Sequence, residues 1–195
     1  GKTSFYGEGL PNFVMDPVSV VTGEFYINTL DLKLPGPMPL EVRRLYSSQD
    51  RSENNIGAGW KLGNFSYLML SDDGSETAPP SLIYAAEMDG SVIAYRYDSS
   101  KEIWAPQLSD NPNLINANTG ALLASQNFFN NRITKINSNN SKSYLLKSSD
   151  GSARLFTVRS FPVVGVADVT RTRPYLETWS DTQGNSLHFS FGNNN

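Results

Sequence analysis

The side chains able to do chemistry are few, and their spacing decides what each can do. His188 is the single histidine, and there is no cysteine. A lone imidazole becomes a general base only with a nucleophile or carboxylate held beside it. Its chain neighbours are Leu187 and Phe189, so it reads as an ordinary strand side chain. Asp72 and Asp73 with Glu76 supply carboxylates, but not the alternating acids, glycine and distal glutamate of a calcium loop. Asp73-Gly74 reads as turn chemistry instead. Gly57-Ala58-Gly59-Trp60 shares only its glycines with a phosphate-cradling loop, which requires a βα crossover. A tight turn delivering Trp60 into a core is the simpler reading. Ser47 and Ser48 have neither a nucleophile elbow nor a histidine partner. Asp31, Glu41, Asp168 and Glu177 would serve a hydrolase only if two of them met ~5–10 Å apart in a cleft. No catalytic, cofactor-binding or metal-ligating residue is therefore assigned, no cofactor is expected, and the chain is not expected to be an enzyme.

Composition narrows the field from the other side. In 195 residues, 16 Lys and Arg stand against 19 Asp and Glu, a net charge of −3. A nucleic-acid binder needs a basic face to displace counterions from phosphates, and a polybasic membrane protein needs the same excess. Neither partner is expected. No apolar run approaches the ~20 residues that span a bilayer. Gly1–Leu10 lacks the charged and apolar blocks of a signal peptide, and the missing initial Met suggests a piece of a longer protein. Only 18% of residues are charged, whereas exposed helix faces carry Glu and Lys. The balance suits a turn-rich β protein.

Turn chemistry locates the strands. Asp-Gly-Ser occurs at Asp73, Asp89 and Asp150, and Asp181-Thr182-Gln183-Gly184-Asn185 is a stretched version. Asp-Gly favours a two-residue type I′ turn, because both positions take positive φ. With Met88 opposite Ser91, Tyr84 would face Tyr95 and Leu82 would face Tyr97, giving one aromatic face. With Trp104 nearby, that face is a sheet contact before it is a sugar-stacking platform. The same logic sets Leu145 opposite Phe156 and Leu146 opposite Leu155. Leu187, Phe189 and Phe191 alternate with polar residues as a half-buried strand does. Phe25–Leu34 and Leu40–Tyr46 flank Pro35-Gly36-Pro37-Met38-Pro39, and Trp60–Leu70 reads as one further strand. Ser109–Asn140 reads as an Asn-rich excursion, with a turn or two of helix offered by Gly120–Phe129.

One stretch carries a wider likeness. Asp16-Pro17-Val18-Ser19-Val20-Val21-Thr22-Gly23 is followed by Leu32-Lys33-Leu34-Pro35-Gly36-Pro37-Met38-Pro39-Leu40. Arg44-Leu45-Tyr46-Ser47-Ser48 and Gly57-Ala58-Gly59-Trp60-Lys61-Leu62 come next. In this order the segment resembles the N-terminal domain that leads into the repeats of RHS/YD-repeat proteins, which include bacterial polymorphic toxins and Tc-toxin shell components. Tyr175–Phe191 resembles a first YD-type strand pair.

The resemblance implies a non-catalytic scaffold, the N-terminal part of a β-hairpin shell that encloses or presents a C-terminal toxin or effector. It implies as partners the downstream repeats and effector of the same polypeptide, and a secreted or cell-surface location. The expected fold is all-β: successive antiparallel hairpins in a curved or spiral sheet. Residues 1–70 would be the lead-in domain and 71–195 the hairpin sheet. The final strand, Leu187–Phe191, would be an open edge available for self-association. The alternative is an extracellular binding module that grips glycan or a surface protein through the aromatic face.

Overall fold

The computed structural model describes residues 13–14, 18–19, 23–38, 40–51, 56–63, 66–72, 78–88, 91–111, 127–138, 141–163 and 167–192. The fold is mainly β and antiparallel. A short pair, β1 (Phe13–Val14) and β2 (Val18–Ser19), precedes a three-stranded sheet of β3 (Tyr26–Leu34), β4 (Leu40–Ser47) and β5 (Trp60–Leu62). The rest is a meander of β6 (Tyr67–Leu70), β7 (Leu82–Ala86), β8 (Val92–Asp98), β9 (Ile103–Pro106), β10 (Arg132–Ser138), β11 (Ser141–Lys147), β12 (Ala153–Pro162) and β13 (Thr170–Ser180). Each strand pairs with the next, and β13 returns to β6 at Tyr175↔Tyr67. The expected curved sheet therefore closes into an eight-stranded barrel. A last strand, β14 (Ser186–His188), pairs with the end of β13.

An eight-stranded barrel has an interior just wide enough to be filled by side chains, and this one is filled. Leu68, Ile83, Ala85, Ile93, Tyr95, Trp104, Ile133, Tyr144, Leu146, Phe156 and Leu176 form one buried cluster, with Phe128 packed into it. The Trp104 indole N–H donates to Pro80 O at 2.8 Å, so its polar edge is satisfied inside the apolar core. Where β9 ends, the Asn111 side chain stands in for a strand. Its Oδ1 accepts from Ala94 N–H at 2.8 Å and its Nδ2 donates to Ala94 O at 2.9 Å.

The hairpin loops differ from expectation by one residue, and the inside of the barrel follows from that. Glu87 N–H donates to Ser91 O at 2.8 Å, so three residues separate the closing pair, although Asp89 and Gly90 lie outside the described residues. The register runs Ile83↔Tyr95 and Ala85↔Ile93, not Tyr84↔Tyr95. Likewise Tyr144 lies opposite Phe156 and Leu145 opposite Leu155. There the turn is visible: Gly151 N–H donates to Ser148 O at 3.0 Å, Ser148 N–H to Ser152 O at 2.9 Å, and Gly151 has φ +86. This is a type I turn with a left-handed glycine bulge, the three-residue alternative for the same Asp-Gly pair. Asp150 Oδ1 accepts from Ser152 N–H and Oγ at 2.9 and 2.7 Å. The Ser152 hydroxyl, then its amide, hold the Asp150 carboxyl below its ordinary pKa. Thr182-Gln183-Gly184 repeats the device, with Gly184 at φ +88 and Asp181 bonded to Gln183 and Asn185.

Two further expectations are corrected. Trp60–Leu70 is not one strand: β5 and β6 belong to different sheets. The chain passes between them at Gly63, where a Cβ would lie 2.9 Å from Met88 O and 3.3 Å from Arg43 Cβ. The Asn-rich excursion contains a barrel stave, β10, whose Ile133 is fully buried. Of the expected helix at Gly120–Phe129, residues 120–126 lie outside the described residues, and Asn127–Asn130 form a 3₁₀ turn.

The two glycine loops separate backbone strain from steric clash. A Cβ at Gly184 meets nothing within 4 Å, whereas at Gly151 it would lie 2.6 Å from Thr182 Cγ2. Gly184→Ala is expected to cost about 1–2 kcal/mol, the left-handed penalty alone, and Gly151→Ala more. Urea denaturation of both variants checks the order.

Candidate functional site

Buried ionisable groups converge at one end of the barrel interior. Glu87 follows β7, and Arg154 enters from β12. Their side chains meet head-on across a sequence separation of 67 residues, Arg154 Nη1 to Glu87 Oε2 at 2.5 Å and Nη2 to Oε1 at 3.0 Å. Both are largely buried, at 10% and 15% side-chain exposure. Burial pulls the Arg154 guanidinium down, but the Glu87 charge and hydrogen bonds outweigh it and the net shift is upward. Asn131 Nδ2 reaches the Tyr95 hydroxyl at 3.4 Å, and Asn131 Oδ1 accepts from Ser149 N–H at 2.9 Å. Burial first, and the Glu87 charge second, push the Tyr95 phenol up to about 12. At neutral pH it is a protonated hydroxyl inside a packed core. Both oxygens of the carboxylate are engaged by the guanidinium, so the pair braces β7 against β12.

The residues singled out from sequence are dispersed. His188 is exposed on β14, with Thr178 Oγ1 3.2 Å from Nδ1 and Ser186 Oγ 3.1 Å from Nε2. Ser47 Oγ bonds the Glu24 carboxylate and accepts from Asp50 N–H at 3.1 Å, and Ser48 Oγ accepts from Phe25 N–H at 2.9 Å. Both hydroxyls tie the start of β3 to the end of β4. Asp31 receives Arg44 at 2.6 and 2.7 Å, while Glu41 receives Lys33 at 2.7 Å and Arg43 at 2.9 Å. The Arg44 hydrogen bond lowers the Asp31 pKa, and the Lys33 and Arg43 hydrogen bonds lower that of Glu41. Asp168 sits exposed in the β12–β13 loop at φ +60, and Glu177 takes Arg159 at 3.3 Å. Asp72 is exposed, and Asp73 and Glu76 lie outside the described residues. Among the described residues, no group of three His, Asp or Glu side chains is placed to hold a metal ion.

Gly57–Trp60 is a tight turn, with Trp60 N–H donating to Gly57 O at 3.3 Å. Gly59 has φ +74, and a Cβ there would lie 2.7 Å from Ser47 O, so only glycine lets the turn close on β4. Trp60 packs half-buried against Tyr46, ring centroids 5.2 Å apart, with the Arg44 guanidinium 5.3 Å above it.

The aromatic platform does not form. Tyr95 points inward at 0% exposure, Tyr97 packs at 4.8 Å on the buried Trp104, and Tyr84 faces the opposite side of the sheet. A different cluster, which the sequence reading missed, lies on the outer face of β12 and β13. Phe161, Tyr175 and Phe191 pack with centroids 4.9 to 5.7 Å apart. The Arg173 guanidinium lies 3.7 Å from the Tyr67 ring centre and 5.2 Å from that of Tyr175. Arg159 lies 5.7 Å from the ring centre of Phe191. The available signal was period-two spacing of Arg159, Phe161, Arg171, Arg173 and Tyr175.

Residues 15–95 match a family described as a domain of unknown function, DUF6531. The match spans the three-stranded sheet and runs into β8. No curated protein matches the chain.

Two measurements test the barrel-end brace. Glu87→Ala leaves a buried guanidinium unpaired and is expected to cost about 3–5 kcal/mol. Glu87→Leu combined with Arg154→Met is expected to cost clearly less, both read from urea denaturation. Because the fold favours the neutral phenol of Tyr95, that stability is complete below the ordinary tyrosine pKa of about 10. It is lost as the pH rises towards the native value of about 12. Alkaline unfolding followed by circular dichroism should shift to higher pH in Tyr95→Phe.

Proposed function

We propose that this chain is a structural scaffold without catalysis, the N-terminal part of an RHS-repeat shell that encloses or presents a C-terminal effector. The observation that carries this reading is the ordered run of motifs from Asp16 to Leu62, which falls inside the matched family region. The barrel adds support. Its interior is occupied by packed side chains, and the buried charges of Glu87 and Arg154 form a closed ion pair.

The three-stranded sheet supports it further. Leu32 and Leu34 on β3, opposite Val42 and Leu40, are 48 and 49% exposed, a short apolar strip suited to burial against further parts of a larger assembly. β14 has β13 on one side and, among the described strands, none on the other, so sheet growth or self-association can continue there. The alternative, a glycan- or protein-binding module using Tyr84, Tyr95 and Tyr97, loses its platform because Tyr95 is buried.

The test is the longer natural protein. Its coding sequence should continue past Asn195 into Tyr-Asp hairpin repeats. Electron microscopy of that product should show a hollow shell, and limited proteolysis should leave its C-terminal domain intact. A natural product without repeats, or a C-terminal domain digested as fast as the same domain alone, overturns the proposal.

A further inference from the structure

The β12–β13 hairpin continues beyond the barrel as an arm. β12 pairs with β11 only over Ala153–Thr157, and β13 pairs with β6 at Tyr175 and with β14 from Thr178. The ladder from Val158↔Pro174 to Pro162↔Thr170 therefore has no further strand on either side among the described residues. Its loop closes with Val163 N–H donating to Val169 O at 2.8 Å.

Alternation puts Arg159, Phe161, Arg171, Arg173 and Tyr175 on one face of this arm. Arg159 and Arg173 are direct cross-strand partners, and Phe161 opposes Arg171. Like charges directly opposite destabilise a ladder. Among the described residues the carboxylate paired with this face is Glu177, which Arg159 reaches only at 3.3 Å. Arg159 Nε is buried with no hydrogen-bond partner among the described residues. Arg173 Nε donates to the Tyr175 hydroxyl at 3.1 Å, and Arg171 is exposed with no acidic partner among the described residues. A concentrated positive face on a chain of net charge −3 is thus left short of anions while stacking on rings fixes two of its three guanidiniums.

We propose that this arm is a docking surface for an extended acidic polypeptide segment. Its carboxylates pair with Arg171 and Arg173, and its backbone adds along the open edge of the hairpin. Two features favour a polypeptide over a nucleic acid or a sugar. The ring faces are already engaged, Tyr67 by Arg173 and Tyr175 by Arg173, Phe161 and Phe191, so stacking of bases or sugar rings would have to displace them. The hairpin edge, unpaired among the described strands, offers backbone amides and carbonyls that an extended polypeptide meets in register and a nucleic acid or sugar does not. The inference does not depend on the chain being part of a shell.

Fluorescence anisotropy of the whole 195-residue chain tests it, with a short labelled peptide of alternating glutamate and valine. A lysine-valine counterpart and an oligothymidylate serve as comparisons. The acidic peptide should bind, weaken with salt, and lose affinity by about tenfold or more in Arg171→Glu, the scale of one charge-assisted contact. Arg171 is exposed, so this variant should keep the parent's thermal midpoint, and Lys135→Glu on β10, outside the arm and separated from β12 by β11, should keep parent affinity. Absence of binding, equal binding of the lysine peptide, or indifference to Arg171→Glu overturns the proposal. So does oligothymidylate binding that depends on Arg171 without peptide binding, which would assign the face to nucleic acid.

Discussion

Hairpin register governs this molecule. Side chains alternate across a strand, so a one-residue slip sends every inward residue outward. The three-residue loop ending in a left-handed glycine at Gly151 fixes that register between β11 and β12, as does the loop of equal length between Glu87 and Ser91 for β7 and β8. With this register Ile83, Ala85, Ile93, Tyr95, Tyr144, Leu146 and Phe156 all face one interior. Only then does the meander have a continuous apolar surface to wrap, and only then can β13 reach β6. Closure in turn removes sheet edges from the barrel itself, which an open stack of hairpins would have to shield by other means.

The brace at the barrel end follows from closure. Glu87 follows β7 and Arg154 lies on β12, strands separated in the barrel by β6 and β13, and an open sheet would leave each in water. Burying two charges costs several kcal/mol per ion unless geometry and hydrogen bonds offset it. The two-point contact and the neighbouring Asn131 and Tyr95 supply that geometry. Such a pair adds less to stability than an apolar filling would, but it penalises any register that separates its members. The ion pair and the glycine loops therefore specify the same arrangement, one from within the barrel and one from its rim.

Much of this was legible in the sequence, and the limits are physical. Asp-Gly pairs located the hairpins, because few residue pairs accept the backbone those turns require. They did not decide loop length, because Asp-Gly suits both a two-residue type I′ turn and a type I turn with a glycine bulge. The half-burial of Leu187, Phe189 and Phe191 was readable from alternation alone. Arg132–Ser138 was hidden because asparagines flank it and its isoleucines, Ile133 and Ile136, stand three apart and so give no period-two alternation. Barrel closure and the Glu87–Arg154 contact join residues far apart in the chain, and local patterns carry no record of them. His188, Ser47, Ser48, Asp31, Glu41 and Glu177 each have a local hydrogen-bonding partner, and Asp168 is exposed in a loop.

Where the arm outruns the barrel, the edges that closure removed reappear, and that is where arginines concentrate. Charged residues at a sheet edge deter indiscriminate pairing. A second copy would bring the same positive face to the same edge, so direct pairing of two arms sets guanidiniums against guanidiniums. The charge that excludes self-pairing admits a strand bearing carboxylates, since specificity arises as much from what a surface repels as from what it attracts. The Arg159–Arg173 opposition thus has a cost in the free chain that a suitable acidic segment would relieve. Cation–π contacts with Tyr67, Tyr175 and Phe191 hold the guanidiniums in place until then. The arm is an edge left open to one class of strand, built from the same alternation that fills the barrel.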